Sequence, residues 1–148
     1  MPANVPPIHD RGFVRGSPDA VFRMVSTPAH YGRWWPRVAS RPVADGGAEL
    51  VLAGFGRLRA SVRDLRPRVG LFLDLAGPRA RATLEWYLEP FKAGTVANAL
   101  LVLDDVPGWG RRREAAYRSA IRAGLVALSE GLDAPAWPGR QAVPGDAR

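Results

Sequence analysis

The chain has 148 residues, 47% of them hydrophobic, no cysteine and a formal net charge of +7. That length suits one domain with room for a real core, and the missing thiols exclude a disulfide framework, a cysteine nucleophile and a thiolate metal site. No apolar run nears the roughly 18 residues of a membrane span, and the opening MPANVPPIHD shows no basic-then-apolar leader, so the expected location is the cytoplasm.

Almost all the positive charge is arginine, with Lys92 the single lysine. Two explanations stand side by side. One is a basic patch for an acidic partner; the other is compositional bias, since the chain is also rich in Ala, Gly and Pro.

Ile8 to Arg15 reads as a short strand ended by Gly16. Ser17 then offers an N-cap, Pro18 the first helical position and Asp19 a first-turn charge, with Val21, Met24 and Val25 as the apolar stripe. Thr27-Pro28 repeats the signal and opens a second short helix through Tyr31 and Trp34 to Pro36. Trp34 and Trp35 are adjacent, and neighbours on a helix point about 100° apart. One indole is therefore expected in the core and the other at a rim, with Trp34, in helical register with Tyr31, as the anchor. The alternative is that both cap the core.

From Arg37 onward the texture is that of strands. Val38 to Ala44 is closed by Asp45-Gly46-Gly47, a good hairpin turn, and Glu49 to Ala53 follows up to Gly54-Phe55-Gly56, which reads as another turn. Arg57 to Leu65 alternates, with Leu58, Ala60 and Val62 on one face and Arg57, Arg59 and Arg63 on the other. After Pro67, Val69 to Ala76 places Leu71, Leu73 and Leu75 on one side. Ala80 to Glu89 does the same with Ala82, Leu84, Trp86 and Leu88. Thr95 to Leu103 is apolar on both faces except at Asn98, so it belongs in the sheet interior.

Asp104 to Gly110 is a turn-rich link. RRREAAYRSAIRAGLVALSEGL then makes a long amphipathic helix with Tyr117, Ile121, Leu125, Leu128 and Leu132 on one face and Ala120 and Gly124 beside them. Arg118, Arg122 and Glu130 are placed to meet water. A helix with so wide an apolar face must lie across the sheet, which makes the class α+β. Residues 8–132 form the domain, 1–7 an N-terminal extension and 133–148 a Pro/Gly-rich tail.

The segment FVRGSPDAVFRMVSTPAHYGRWWPRV resembles the opening of START-like domains, also called SRPBCC or polyketide cyclase/dehydrase and lipid-transport proteins. The later ATLEWYLEPFKAGTVANALLVL is similar to that family's penultimate strand, polar turn and last strand, with Gly94-Thr95 in the matching place. The resemblance implies a helix-grip fold, in which a curved seven-stranded antiparallel sheet wraps a long C-terminal helix, with two short helices after strand 1. It also implies a cavity between sheet and helix for a lipid, polyketide or other apolar molecule. The small Ala120 and Gly124 fit either close helix–sheet contact or leftover room.

Candidate ligand-binding residues follow. Trp35 is assigned to the cavity mouth, with Trp34 and Tyr31 behind it. Leu58, Val62, Leu73, Trp86 and Leu88 point inward from the strands, while Tyr117, Ile121 and Leu125 face them from the helix. Trp86 and Tyr117 combine bulk with a polar handle. Asn98, if inward, needs a partner that a ligand could supply.

Catalytic signatures are thin. His9 and His30 sit on unrelated elements, no serine lies in a Gly-x-Ser-x-Gly elbow, and no His/Asp/Glu cluster has metal-ligand spacing. Catalytic residues stay unassigned, and neither metal nor cofactor is expected. No duplex-binding motif appears, so no specific nucleic-acid partner is expected. The favoured reading is a monomer or homodimer that binds or transports a hydrophobic small molecule. The alternatives are an aromatase/cyclase-like enzyme acting on a polyketide and a basic interaction module using Arg57, Arg59, Arg63, Arg66 and Arg68, reinforced by Arg111 to Arg113.

Overall fold

The computed structural model describes residues 5–133. It contains strand β1 (Ile8–Val14), helix α1 (Pro18–Val25), a 3-10 turn (Pro28–His30) running into helix α2 (Tyr31–Trp34), then six strands and helix α3 (Arg111–Asp133). The strands are β2 (Ala39–Pro42), β3 (Ala48–Leu52), β4 (Gly56–Arg66), β5 (Gly70–Gly77), β6 (Ala80–Phe91) and β7 (Gly94–Asp105). They form one antiparallel sheet in the order β1-β7-β6-β5-β4-β3-β2. This is the expected helix-grip arrangement. The expected tail lies outside the described residues, apart from Asp133 at the end of α3.

The caps behave as the sequence implies at the first helix and not at the second. Ser17 Oγ accepts from the Ala20 backbone N–H at 3.1 Å, with Pro18 in the first turn. Thr27 makes no side-chain cap, and Pro28 opens a single 3-10 turn instead. The short helices are held from within: Ser40 Oγ donates to the Ala29 carbonyl at 2.8 Å and accepts from the Gly32 N–H at 2.7 Å, pinning α2 to β2.

Alternation assigns the sheet faces. On β1, Asp10 and Gly12 face α3: Asp10 pairs with Arg118 and Arg122, and a side chain at Gly12 would meet Leu125 at 3.3 Å. Residues in register with them, such as Ala99, Trp86 and Leu71, therefore line the same inner face, and all three are buried. Arg122 meets water as expected and Arg118 does so in part, but both also have a partner in the protein. They reach back over β1 to an aspartate whose side chain is 6% exposed. At physiological pH a carboxylate that deep requires such partners.

Val62 is a second departure. Leu58 and Ala60 are buried, but Val62 is 39% and Leu65 44% exposed. A β-bulge between Val62 and Asp64 shifts the register there, and the far end of β4 extends beyond the packed core.

Candidate functional site

The tryptophan pair sits where α2 ends. Trp34 is the last residue of α2, whereas Trp35 has φ −92° and ψ 113°, which is extended. The Trp35 N–H still donates to the Tyr31 carbonyl at 2.8 Å, so its Cβ leaves the last helical turn in the usual direction and the two rings come together through their side-chain torsions. They stack, with centroids 5.5 Å apart and planes 16° from parallel. Trp34 is 7% and Trp35 2% exposed, which replaces the core-and-rim division by a shared core position.

Trp35 explains the small residues of α3. Its Nε1 donates to the Ala120 carbonyl at 2.8 Å, and a Cβ at Gly124 would stand 2.7 Å from that same nitrogen. Gly124 leaves a notch that the indole fills, and Ala120 supplies the carbonyl it donates to. Around it, Trp86 meets Trp35 edge-on at 6.1 Å, and Trp86 Nε1 donates to Tyr31 Oη at 3.1 Å. Tyr31 Oη in turn donates to the Val25 carbonyl at 2.6 Å. Burial drives the Tyr31 phenol well above the usual tyrosine range. Leu58, Leu73, Leu88, Ile121 and Leu125 complete this interior.

Asn98 is not part of it. It pairs in register with Arg11 and Tyr87 on the opposite face. Its Oδ1 lies 2.9 Å from His9 Nε2, and its Nδ2 donates to Glu89 Oε1 at 2.8 Å. The polar interruption of β7 is thus satisfied by its neighbours on the outer face, where a depression of about 540 Å³ lies over His9, Tyr87 and Asn98.

Unsatisfied polar groups occur at one end of the sheet–helix layer instead. Trp109 Nε1 and Tyr117 Oη are buried with no hydrogen-bond partner among the described residues. Both rings pack on Phe55, Trp109 at 5.1 Å and Tyr117 perpendicular at 6.2 Å. Burial, reinforced by the nearby Asp10 charge, pushes the Tyr117 phenol far above its ordinary value. Phe55 stands between Gly54 at φ +93° and Gly56 at φ +79°, conformations that favour glycine. Arg113 closes the group: its Nε donates to the Gly54 carbonyl at 2.8 Å, its Nη1 donates to the Pro107 carbonyl at 2.9 Å, and its guanidinium lies 5.2 Å from the Trp109 ring centre. Outside Phe55 opens a depression of about 410 Å³ lined by Phe55, Arg57, Pro78, Arg79, Pro107 and Arg113, among others.

Sequence reasoning found Tyr117 and counted Arg113 only as part of a basic patch, but passed over Phe55 and Trp109. A glycine-flanked aromatic was read as a plain turn, and Trp109 was absorbed into a link. An aromatic at the tip of a turn was the available signal. The arginines of β4 do share the outer face, but Arg59 pairs with Asp45, and Arg63 pairs with Asp74 at 2.9 Å. Much of that strand's charge is locally matched.

No group of three or more His, Asp or Glu that could hold a metal occurs among the described residues, and no helix there is long and apolar enough to cross a membrane.

No protein-family model matches the sequence, and no curated protein matches it. Solved structures do. A START superfamily protein from Mycobacterium smegmatis superposes with a TM-score of 0.68 at 15% identity over 86% of this chain and 97% of its own. DynU16, a protein from the dynemicin biosynthetic locus, gives 0.66 at 14% identity over 87% of this chain, which spans about half (48%) of DynU16. The Aha1 dimer from Colwellia psychrerythraea gives 0.63 at 16% identity, covering 86% and 96%. The chain has the START-like fold.

Proposed function

We propose that the protein binds or carries a hydrophobic or amphipathic small molecule between the sheet and α3, admitted past Phe55 and Trp109. The observation that carries this reading is the Tyr117 hydroxyl, buried against Phe55 with no partner. A buried unpaired hydroxyl costs about 1–3 kcal/mol, a cost that a hydrogen-bonding ligand removes. The START-like fold of the structural neighbours supports the same location. Because the interior is filled by Trp35, Trp86, Tyr31 and Tyr117, the ligand enters by displacing rings, and the glycine-flanked Phe55 is the residue best able to move.

Tyr117→Phe tests it by separating stability from function. Removing the orphan oxygen leaves the free protein equally or more stable, while ligand retention falls. Native mass spectrometry of protein purified from cells is expected to show a bound small molecule on the wild type and less of it on the variant. A wild type with no adduct, and no melting shift with any member of a lipid and aromatic panel, would sink the proposal.

A further inference from the structure

The mouth beside Phe55 carries charge of one sign, and that charge has few local counter-ions. Arg79, in the β5–β6 turn, has no hydrogen bond or ion pair among the described residues. Arg57 Nε stands 4.0 Å from Glu49, a carboxylate already held at 2.9 Å by Arg41. Arg113 spends two of its N–H groups on the neutral carbonyls of Gly54 and Pro107, so its charge is ordered but not cancelled. Elsewhere the contrast is plain: Arg59 has Asp45, Arg63 has Asp74, and Arg118 has Asp10 and Glu114. Arg111 and Arg112 begin α3 beside this mouth, adding positive potential at the end of the helix where the backbone dipole is also positive.

Apolar walls accompany the charge. Phe55, Pro78 and Pro107 line the same depression, and Phe55 leads inward to the unpaired Tyr117 hydroxyl. Three cations on the rim of a depression that also carries apolar side chains suit a molecule with one anionic end and one apolar end. Guanidinium is weakly hydrated and forks onto carboxylate or phosphate oxygens.

Resting on the ligand-binding reading above, we infer that the ligand is an anionic amphipath: its carboxylate or phosphate head sits among Arg57, Arg79 and Arg113, and its apolar body passes Phe55 towards Tyr117. The charge sets which molecules are admitted; the interior sets how much of their apolar body is buried.

The test compares dodecanoate, dodecyl phosphate and methyl dodecanoate by calorimetric titration of the full chain. At least one of the two anions is expected to bind more tightly than the ester by about tenfold, the scale of one charge-assisted hydrogen bond. The stronger anion identifies the head group. The advantage is expected to shrink between about 50 mM and about 500 mM salt, because the rim is open to screening. The double variant Arg57→Gln, Arg79→Gln is expected to cut the anion's advantage severalfold while leaving the ester unchanged. Arg113 is left intact because it holds the Gly54 turn and the Pro107 link.

Equal binding of anion and ester by the wild type would overturn the inference and leave the ligand-binding reading standing. So would an anion preference that is undiminished in the double variant. Binding of no probe at all would also overturn the inference, while the ligand-binding reading falls only if the wild type further shows no adduct and no melting shift.

Discussion

At the scale of single residues, the decisive pair is Trp35 and Gly124. The sequence marks the indole pair as unusual and the small face of α3 as unusual, but nothing in either pattern says that one fills the other. That needs two neighbouring indoles at the end of α2 to turn to one side through their side-chain torsions, which no periodicity records. The consequence can be tested at Gly124. On an open helix surface, Gly→Ala adds about 1 kcal/mol through propensity. Here the new methyl would lie 2.7 Å from Trp35 Nε1 and 2.8 Å from its Cε2. The indole is hydrogen-bonded to Ala120 and stacked on Trp34, so it has little freedom to give way. Overpacking costs of about 1–3 kcal/mol outweigh the propensity gain. Gly124→Ala is therefore expected to lower the urea midpoint, and a raised midpoint would show that Trp35 is not wedged there.

At the scale of elements, the strand and helix order was legible because most strands alternate and each break carries Gly, Pro or Asp. Faces were less legible. Val62 continues the alternation of Leu58 and Ala60, yet the bulge that follows it and the end of the packed core leave it exposed. Asn98 interrupts an apolar strand, and only the register with Tyr87 and Arg11 reveals that it looks outward. Asp10 carried no signal at all, since an aspartate in an edge strand normally meets water. Instead it ties β1 to α3: Arg118 Nη1 reaches its carboxylate at 3.3 Å, and Arg122 Nε lies 3.6 Å away. Asp10→Asn keeps the shape and removes the charge. Arg118 is one-third exposed and can turn to solvent, so the loss is that of a charge-assisted contact, about 1–3 kcal/mol, and not the larger cost of a stranded buried ion. Hydrogen exchange is expected to rise in β1 and at the facing turns of α3, with β4 and β5 unaffected. A uniform rise across the sheet would mean that the pair supports the whole fold and not this junction.

At the scale of the whole molecule, an α+β architecture closing over one helix was readable from order and amphipathicity, while the degree of filling was not. Side-chain volumes left close contact and leftover space over Ala120 and Gly124 equally open; the rings of Tyr31, Trp35, Trp86 and Tyr117 take up the interior. Two of them are phenols held neutral by burial, which makes the folded state sensitive to base. Tyr31 and Tyr117 both have folded pKa values raised above the ordinary value near 10.0. A raised folded value means the stabilisation is complete below pH 10, where both states are protonated. It is lost as pH climbs above 10, because the unfolded chain releases these protons and the folded one does not. Each such phenol contributes a slope of about 1.4 kcal/mol per pH unit in that range. Tyr87 also has a raised value, about 12, through its hydrogen bond to Glu85, but it lies on the surface, where solvent weakens its share. Urea unfolding at pH 9, 10 and 11 should then show stability nearly flat over the first step and falling by about 3 kcal/mol per unit once well above pH 10. Tyr117→Phe should remove about half of that slope and leave the low-pH plateau equal or higher. An unchanged slope in the variant would mean that Tyr117 ionises freely when folded, which a hydroxyl sealed beneath Phe55 cannot do.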